Sequence, residues 1–213
     1  VALLRIEDTD HTRCKPEYEA ALIEDLVWLG FDWPQPVRRQ SAHMADYAKA
    51  LQHLISRGLV YRCFRTRREI MAESANAPHH RGDVVLGGPL PTSEEAGRLE
   101  AGEPFAWRLW LSACRQTLGK QWDRLGFEAD GQWVKADPAR EGDAILARKE
   151  FPASYHLASV VDDAAQGVTH VIRGEDLADA AHLHVLLQAL LDLPTPHYRH
   201  HRLILGPDRK RLA

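Results

Sequence analysis

The chain is poor in the features that mark several protein classes. Among 213 residues there are three cysteines, Cys14, Cys63 and Cys114. An odd, scattered set makes no disulfide framework, and free thiols point to a reducing compartment, the cytoplasm. No apolar run of about eighteen residues occurs, so no stretch reads as a membrane-spanning helix. The N-terminus lacks the basic start, apolar core and small-residue cleavage site of a signal peptide. Gly 14 and Pro 12 are near average, which excludes a fibrous or extensively disordered chain. Excess charge is missing too: a net charge of −3 argues against coating nucleic acid by charge alone. There is no P-loop, no G-x-G-x-x-G and no G-x-S-x-G, so three common signatures of phosphate, dinucleotide and acyl chemistry are absent. No internal repeat or low-complexity tract is found.

What is present supports a real core: 45% of the residues are hydrophobic, enough for one sizeable domain or two small ones. Charge is distributed unevenly. Residues 62–68 read R-C-F-R-T-R-R, and the C-terminal stretch carries Arg199, Arg202, Arg209, Lys210 and Arg211 with a single acid, Asp208. Such patches suit a partner presenting phosphates at defined points, or are solvated faces.

Val1–Ile6 is a short apolar run of the kind buried in a parallel sheet, ending in the polar cluster Glu7-Asp8-Thr9-Asp10. It starts without lead-in, as though the first part of a domain were missing. Pro16, Glu17 and Glu19 open a predicted helix with Leu22, Ile23, Leu26, Val27 and Leu29 as its apolar stripe, closed by Gly30. Ser41 is expected to cap a second helix, with Tyr47, Leu51, Leu54 and Ile55 on one face and Gly58 at its end. Leu59–Tyr61 reads as a strand, and Thr66 with Glu69 as a capping box. Periodicity stops from Ala75 to Pro91, a long loop. Ser93–Ala101 reads as a short acidic helix, and strand character returns at 105–110 and 122–134. His156–Val161 is expected to be a strand ending in Asp162-Asp163. Val168–Ile172 is a further strand, and Asp179 is expected to cap a helix burying Leu183, Leu186, Leu187, Leu190 and Leu191. The order indicates an α/β domain interrupted by a subdomain.

The acids Glu7, Asp8, Asp10, Asp162 and Asp163 at strand ends could hold Mg²⁺, although turn formation explains them better. Arg173 is a candidate for bidentate binding of a carboxylate or phosphate, the alternative being a surface pair with Glu175 or Asp176. Tyr155 could donate to a substrate or be an amphipathic core residue. Cys63 with His79 and His80 lacks zinc-site spacing. Pattern alone stops at an α/β protein acting on a phosphate or carboxylate.

Leu4-Arg-Ile-Glu-Asp-Thr-Asp10 with Arg13 resembles the "LRIEDTD…R" segment of class I glutamyl-tRNA synthetases. Three further stretches agree in order: Asp25–Trp33, then Tyr155–Asp163 with Gly167–Asp176, then His201–Asp208 with Lys210–Leu212. Gln166–Thr169 and Arg38–Ser41 resemble the short glutamyl-Q tRNA(Asp) synthetase branch, which lacks an anticodon-binding domain. The resemblance implies an α/β, Rossmann-like class I aminoacyl-tRNA synthetase catalytic core with an inserted α+β subdomain. Residues 1–58 would be the first half of the core, its N-terminal part missing. Residues 59–151 would form the insert, of acceptor-binding type with a degenerate zinc knuckle, and 152–196 the second half of the core. Residues 197–213 would begin the KLSKS-loop region.

It further implies activation of L-glutamate with ATP and Mg²⁺ to glutamyl-adenylate, then transfer to the queuosine base of tRNA(Asp). Glu7 would take the α-amino group, Arg173 the side-chain carboxylate, and Tyr155 would fix the bound amino acid. Arg211 and Leu212 would be the remnant of the ATP loop. The HIGH motif and the second KLSKS lysine are not in the chain, so no catalytic residue is assigned, and a truncated chain is expected. With no cysteine near Cys63 the knuckle is expected to have lost its zinc; no metal ligand is assigned, no membrane is involved, and a monomer is expected. The alternatives are the catalytic part of a discriminating glutamyl-tRNA synthetase and a degenerate paralogue without catalysis.

Overall fold

The computed structural model describes residues 1–9, 14–66, 69, 87–148 and 152–210. Asp10, Arg13, residues 67–68, His79, His80, Arg211 and Leu212 therefore lie outside the described residues.

Two short strands, β1 (Arg5–Ile6) and β2 (Arg38–Arg39), pair in parallel, with α1 (Pro16–Trp28) between them in sequence. Of the expected Val1–Ile6 strand only the last two residues pair, and Val1 and Leu3 are exposed. Helix α1 starts on Pro16 as its sequence demands, but none of its residues is buried, and Leu22, Val27 and Leu29 are exposed. Its apolar residues do not enter the core.

Helix α2 (Met44–Ser56) buries Tyr47, Leu51 and Leu54 and gives way to Gly58, whose φ of +65° ends the helix at little steric cost. Ser41 is not its cap. It sits in a 3₁₀ turn, Gln40–His43, and turns to Asp8 instead: its amide (2.8 Å) and hydroxyl (2.6 Å) both donate to the Asp8 carboxylate. Burial works against ionisation of Asp8, yet these bonds hold its pKa below the usual range. The Thr66–Glu69 pairing does form, with the Thr66 amide and hydroxyl donating to Glu69 at 2.6 and 2.8 Å.

Strands β3 (Val60–Cys63), β4 (Ala106–Leu109) and β7 (Ile145–Arg148) form an antiparallel sheet in the order β3-β4-β7. Helices α3 (Thr92–Glu100) and α4 (Leu111–Leu118) flank β4 in sequence. Asp143, 1% exposed, ties this region together by accepting from the Tyr61 hydroxyl (3.1 Å), the Gly87 amide (2.6 Å) and the Leu111 amide (3.0 Å).

A four-stranded sheet has the order β6-β5-β9-β8, from β5 (Gly126–Ala129), β6 (Gln132–Lys135), β8 (His170–Gly174) and β9 (His197–His201). β5 and β6 are an antiparallel hairpin, whereas β8 and β9 run parallel, joined through α6 (Ala180–Leu190). A Cβ on Gly126 would lie 2.4 Å from Trp133 Cζ2 and 2.8 Å from the Val134 carbonyl oxygen. The ring can swing aside but the backbone of the paired strand cannot. Gly126→Ala is therefore expected to cost about 1–3 kcal/mol, read as a lower urea midpoint; an unchanged midpoint would refute this close approach.

The segment 156–161 is a helix, not a strand: α5 spans Tyr155–Ala165, with Ser154 as N-cap accepting from the Leu157 amide. Six of its residues are buried, from Leu157 to Asp163, and the short continuous run Leu157–Val161, with its paired valines, imitates a buried strand. Asp179 does not cap α6 through its side chain; that carboxylate accepts from Arg140 at 2.5 Å instead. The core is built where α5 and α6 meet the sheets, from Leu157 and Val160 against Leu183, Leu186, Leu187 and Leu190, with Leu59, Leu109 and Leu146.

Candidate functional site

Arg173 is the penultimate residue of β8, at the carboxyl end of a strand in a parallel β-α-β unit, where open α/β folds place their ligands. It is 8% exposed. Its Nε donates to His200 Nε2 (3.2 Å), and its Nη1 donates to the Tyr155 hydroxyl (3.3 Å) and to His184 Nδ1 (3.4 Å). The guanidinium lies over the Tyr198 ring, 5.2 Å from its centroid. Nη2 is buried and has no hydrogen-bond partner. Among the described residues no carboxylate pairs with Arg173, Glu175 accepting from the Leu203 amide instead. A surface pair with neighbouring acids does not form.

The groups around this guanidinium are neutral. Burial, then the Arg173 charge, pushes His156 down to about 4 and His184 well below its ordinary value of 6.5. His200 is lowered for the same two reasons, in the same order. Burial pushes the Tyr198 phenol up to about 12. A buried cation supported only by neutral partners is costly unless an anion completes it.

These histidines also set an acid limit on stability. As pH falls below about 6.5, the unfolded chain takes up protons that folded His156 and His184 refuse. Stability is therefore full above that pH and declines towards pH 4. The urea midpoint is expected to drop between pH 7 and pH 5, and to drop less in His156→Gln. Equal pH slopes in the two proteins would contradict it.

Tyr155 reaches Arg173 from the first residue of α5. Because its oxygen accepts from the guanidinium, its own O–H is available to a ligand. Glu7 lies elsewhere. Its carboxylate pairs with Arg5 at 3.1 Å and lines a cavity of about 640 Å³ with Arg5, Asp8, Cys14 and Arg39. Among the described residues no hydrogen bond or ion pair joins Glu7 to Tyr155 or Arg173. A separate cavity of about 440 Å³ is lined by Ser154, Tyr155, His156, Arg108 and Arg148. The structure thus brings together two of the three sequence-derived positions and leaves the third at a separate cavity.

What connects them is Arg5, whose Nη1 donates to Asp163 of α5 at 2.7 Å while Nη2 holds Glu7. Asp162, fully buried, accepts from Arg38 Nε (2.7 Å), Gln40 Nε2 (3.0 Å) and the Tyr47 hydroxyl (2.9 Å). The paired aspartates thereby fasten β1 and β2 to the helix that carries Tyr155. Cys63 is buried in β3, and among the described residues no cluster of His, Cys, Asp or Glu could hold a metal ion. Arg62 is engaged internally, 3.2 Å from Glu95 and 4.6 Å from the centre of the Trp107 ring. No helix among the described residues is long and apolar enough to cross a membrane. Sequence reasoning missed His156, His184, His200 and Arg5. Two histidines at 182 and 184, inside the apolar run A-A-H-L-H-V-L-L, were the available signal.

A β-α-β unit with a guanidinium that has no acidic partner among the described residues at its strand end defines an α/β protein. Sequence comparison gives that class a family: the chain belongs to the class I tRNA synthetases (E and Q), catalytic domain, matched over residues 2–213. It is thus a ligase of the aminoacyl-tRNA synthetase type, with the α/β catalytic fold of that class. It is 45% identical over 221 residues to the glutamyl-Q tRNA(Asp) synthetase of Rhodobacter capsulatus, covering 99% of this chain and 78% of that protein. It is 35% identical over 214 residues to the glutamate-tRNA ligase of Coprothermobacter proteolyticus, covering 99% of this chain and 44% of that protein. Among solved structures, the glutamate tRNA ligase of Elizabethkingia meningosepticum in complex with its amino acid superposes with a TM-score of 0.73 at 28% identity, covering 99% of this chain and 44% of that one. The chain thus spans less than half the length of these two glutamate-tRNA ligases.

Proposed function

We propose that the protein activates L-glutamate with ATP and transfers the glutamyl group to the queuosine base of tRNA(Asp). The observation that carries the glutamate reading is Arg173, buried with an unpartnered Nη2 and no acidic partner among the described residues. A γ-carboxylate accepting from Nη2, with the Tyr155 hydroxyl beside it, would supply the missing negative charge. Glu7, linked to α5 through Arg5 and Asp163, is the candidate for the α-ammonium group. Held in this way, an α-carboxylate oxygen attacks the α-phosphorus of Mg²⁺-bound ATP and pyrophosphate leaves. A queuosine hydroxyl then attacks the activated carbonyl, forming the ester and releasing AMP. Positioning and charge neutralisation supply most of the rate. The ATP-loop residues Arg211 and Leu212 lie outside the described residues and enter no step here.

Support for queuosine comes from the names of relatives such as the Rhodobacter capsulatus protein and from Arg38–Ser41 and Gln166–Thr169. In this reading, residues 59–151 are an inserted subdomain between the core halves 1–58 and 152–196, with the KLSKS region starting at 197. The protein is then a cytoplasmic monomer without structural zinc. A second reading, the catalytic part of a glutamate-tRNA ligase, is favoured by the 35% identity to such a ligase.

Transfer of labelled glutamate to tRNA from queuosine-containing and queuosine-lacking cells separates the readings, using the full-length gene product. Label only in the queuosine-containing pool is the expected result. Equal label in both pools supports the ligase reading, and none in either supports a paralogue without catalysis.

A further inference from the structure

The contacts around Arg173 determine where the histidine protons sit. Arginine has no acceptor, so at the 3.4 Å contact the guanidinium donates and His184 Nδ1 accepts. The His184 proton is then on Nε2, which lies 3.2 Å from His156 Nδ1. His156 Nδ1 must accept it, leaving the His156 proton on Nε2. On the other side His200 Nε2 accepts from Arg173 Nε, so its proton is on Nδ1. Three of the five guanidinium N–H groups are thus tied to His200, Tyr155 and His184, and the two on Nη2 are left. His184 is 1% exposed and belongs to α6, which has no other contact of this kind with the guanidinium among the described residues.

We propose that His184 is a positioning residue for glutamate: a buried neutral acceptor that aims Arg173 so that Nη2 faces the ligand carboxylate, without cancelling the cationic charge. His156 serves it as the acceptor that holds its tautomer. The proposal rests on the reading that Arg173 binds the side-chain carboxylate. A carboxylate at position 184 would aim the guanidinium equally well but would neutralise it. A glutamine would reproduce both roles, Oε1 accepting from Arg173 and the amide donating to His156. Leucine would keep the volume and lose the acceptor.

Glutamate-dependent ATP–pyrophosphate exchange by the full-length protein tests this. His184→Gln is expected to keep the KM for glutamate within about threefold of wild type. His184→Leu should raise it roughly ten- to a hundredfold, the loss of one hydrogen bond to a charged group, with the KM for ATP unchanged. His184→Glu should raise it further. A role in folding alone would lower kcat through the active fraction and leave both KM values in place. The proposal is overturned if the Leu and Glu variants keep the wild-type KM for glutamate while Arg173→Ala has lost it. If Arg173→Ala also keeps it, the carboxylate reading itself fails. Should the variants not fold, nitrogen-15 NMR of the wild-type histidines decides: His184 and His156 protonated on Nε2 and His200 on Nδ1 are expected, and the opposite tautomer at His184 refutes it.

Discussion

Arg173→Ala is expected to leave the protein folded and to remove glutamate-dependent pyrophosphate exchange. The two halves of that expectation have one cause. With no acidic partner among the described residues, the guanidinium is desolvated at a cost its neutral neighbours only partly offset. Its removal loses hydrogen bonds and relieves that cost together, so stability should change by no more than about 2 kcal/mol. For the ligand the balance differs, because its carboxylate would lose the guanidinium proposed to meet it. Truncating one side of such a pair costs about 2–5 kcal/mol, or roughly thirty- to several-thousandfold in kcat/KM. Arg173→Lys should fall between, since one ammonium cannot satisfy His200, Tyr155, His184 and a ligand at once. Full exchange activity in Arg173→Ala would remove the site.

Asp162→Ala is expected to do the reverse and act on the fold. The carboxylate is fully buried and accepts from Arg38, Gln40 and Tyr47, with Arg5 Nε 3.7 Å away. Truncation leaves the buried donors of Gln40 and Tyr47, and the half-buried charges of Arg38 and Arg5, facing a cavity. Losing one side of a buried pair costs about 3–5 kcal/mol, a large share of the roughly 5–15 kcal/mol that holds a domain. Arg38 keeps Asp46 at 3.0 Å, which moderates the loss. Asp162→Asn preserves the shape without the charge and should cost less. Urea denaturation measures both variants, and an unchanged midpoint in Asp162→Ala would show that these bonds do not fasten β1 and β2 to α5.

The contrast between the two variants follows from what surrounds each charge, which is also what the sequence could not display. Helix α2 and strands β3, β4 and β8 were legible because rhythm and end signals such as Gly58 agreed with the fold. Helix α5 was not, because its continuous run Leu157–Val161 reads as a short buried strand. Its one local clue, Ser154 at the N-cap, was too weak to outweigh the β-branched run. Ser41 and Asp179 were plausible caps whose side chains found partners distant in sequence, Asp8 and Arg140. Arg173 and Tyr155 were candidates on residue type and place alone, with a surface pair to Glu175 or Asp176 and a core position as their alternatives, and only resemblance to a family chose between the readings. Instead Glu175 accepts from the Leu203 amide, and Arg173 turns to Tyr155, His184 and His200. The histidine layer under Arg173 combines three separate elements, α5, α6 and β9, and no spacing within one of them announces it.

The most direct test is calorimetric titration of the full-length protein with glutamate and with glutamine, which differ in charge and scarcely in shape. A buried guanidinium among neutral groups should favour glutamate by at least about a hundredfold, the effect of roughly 3 kcal/mol of charge complementarity. Equal affinity for the two would mean that the Arg173 charge is not what the ligand meets, and the site described here would be wrong.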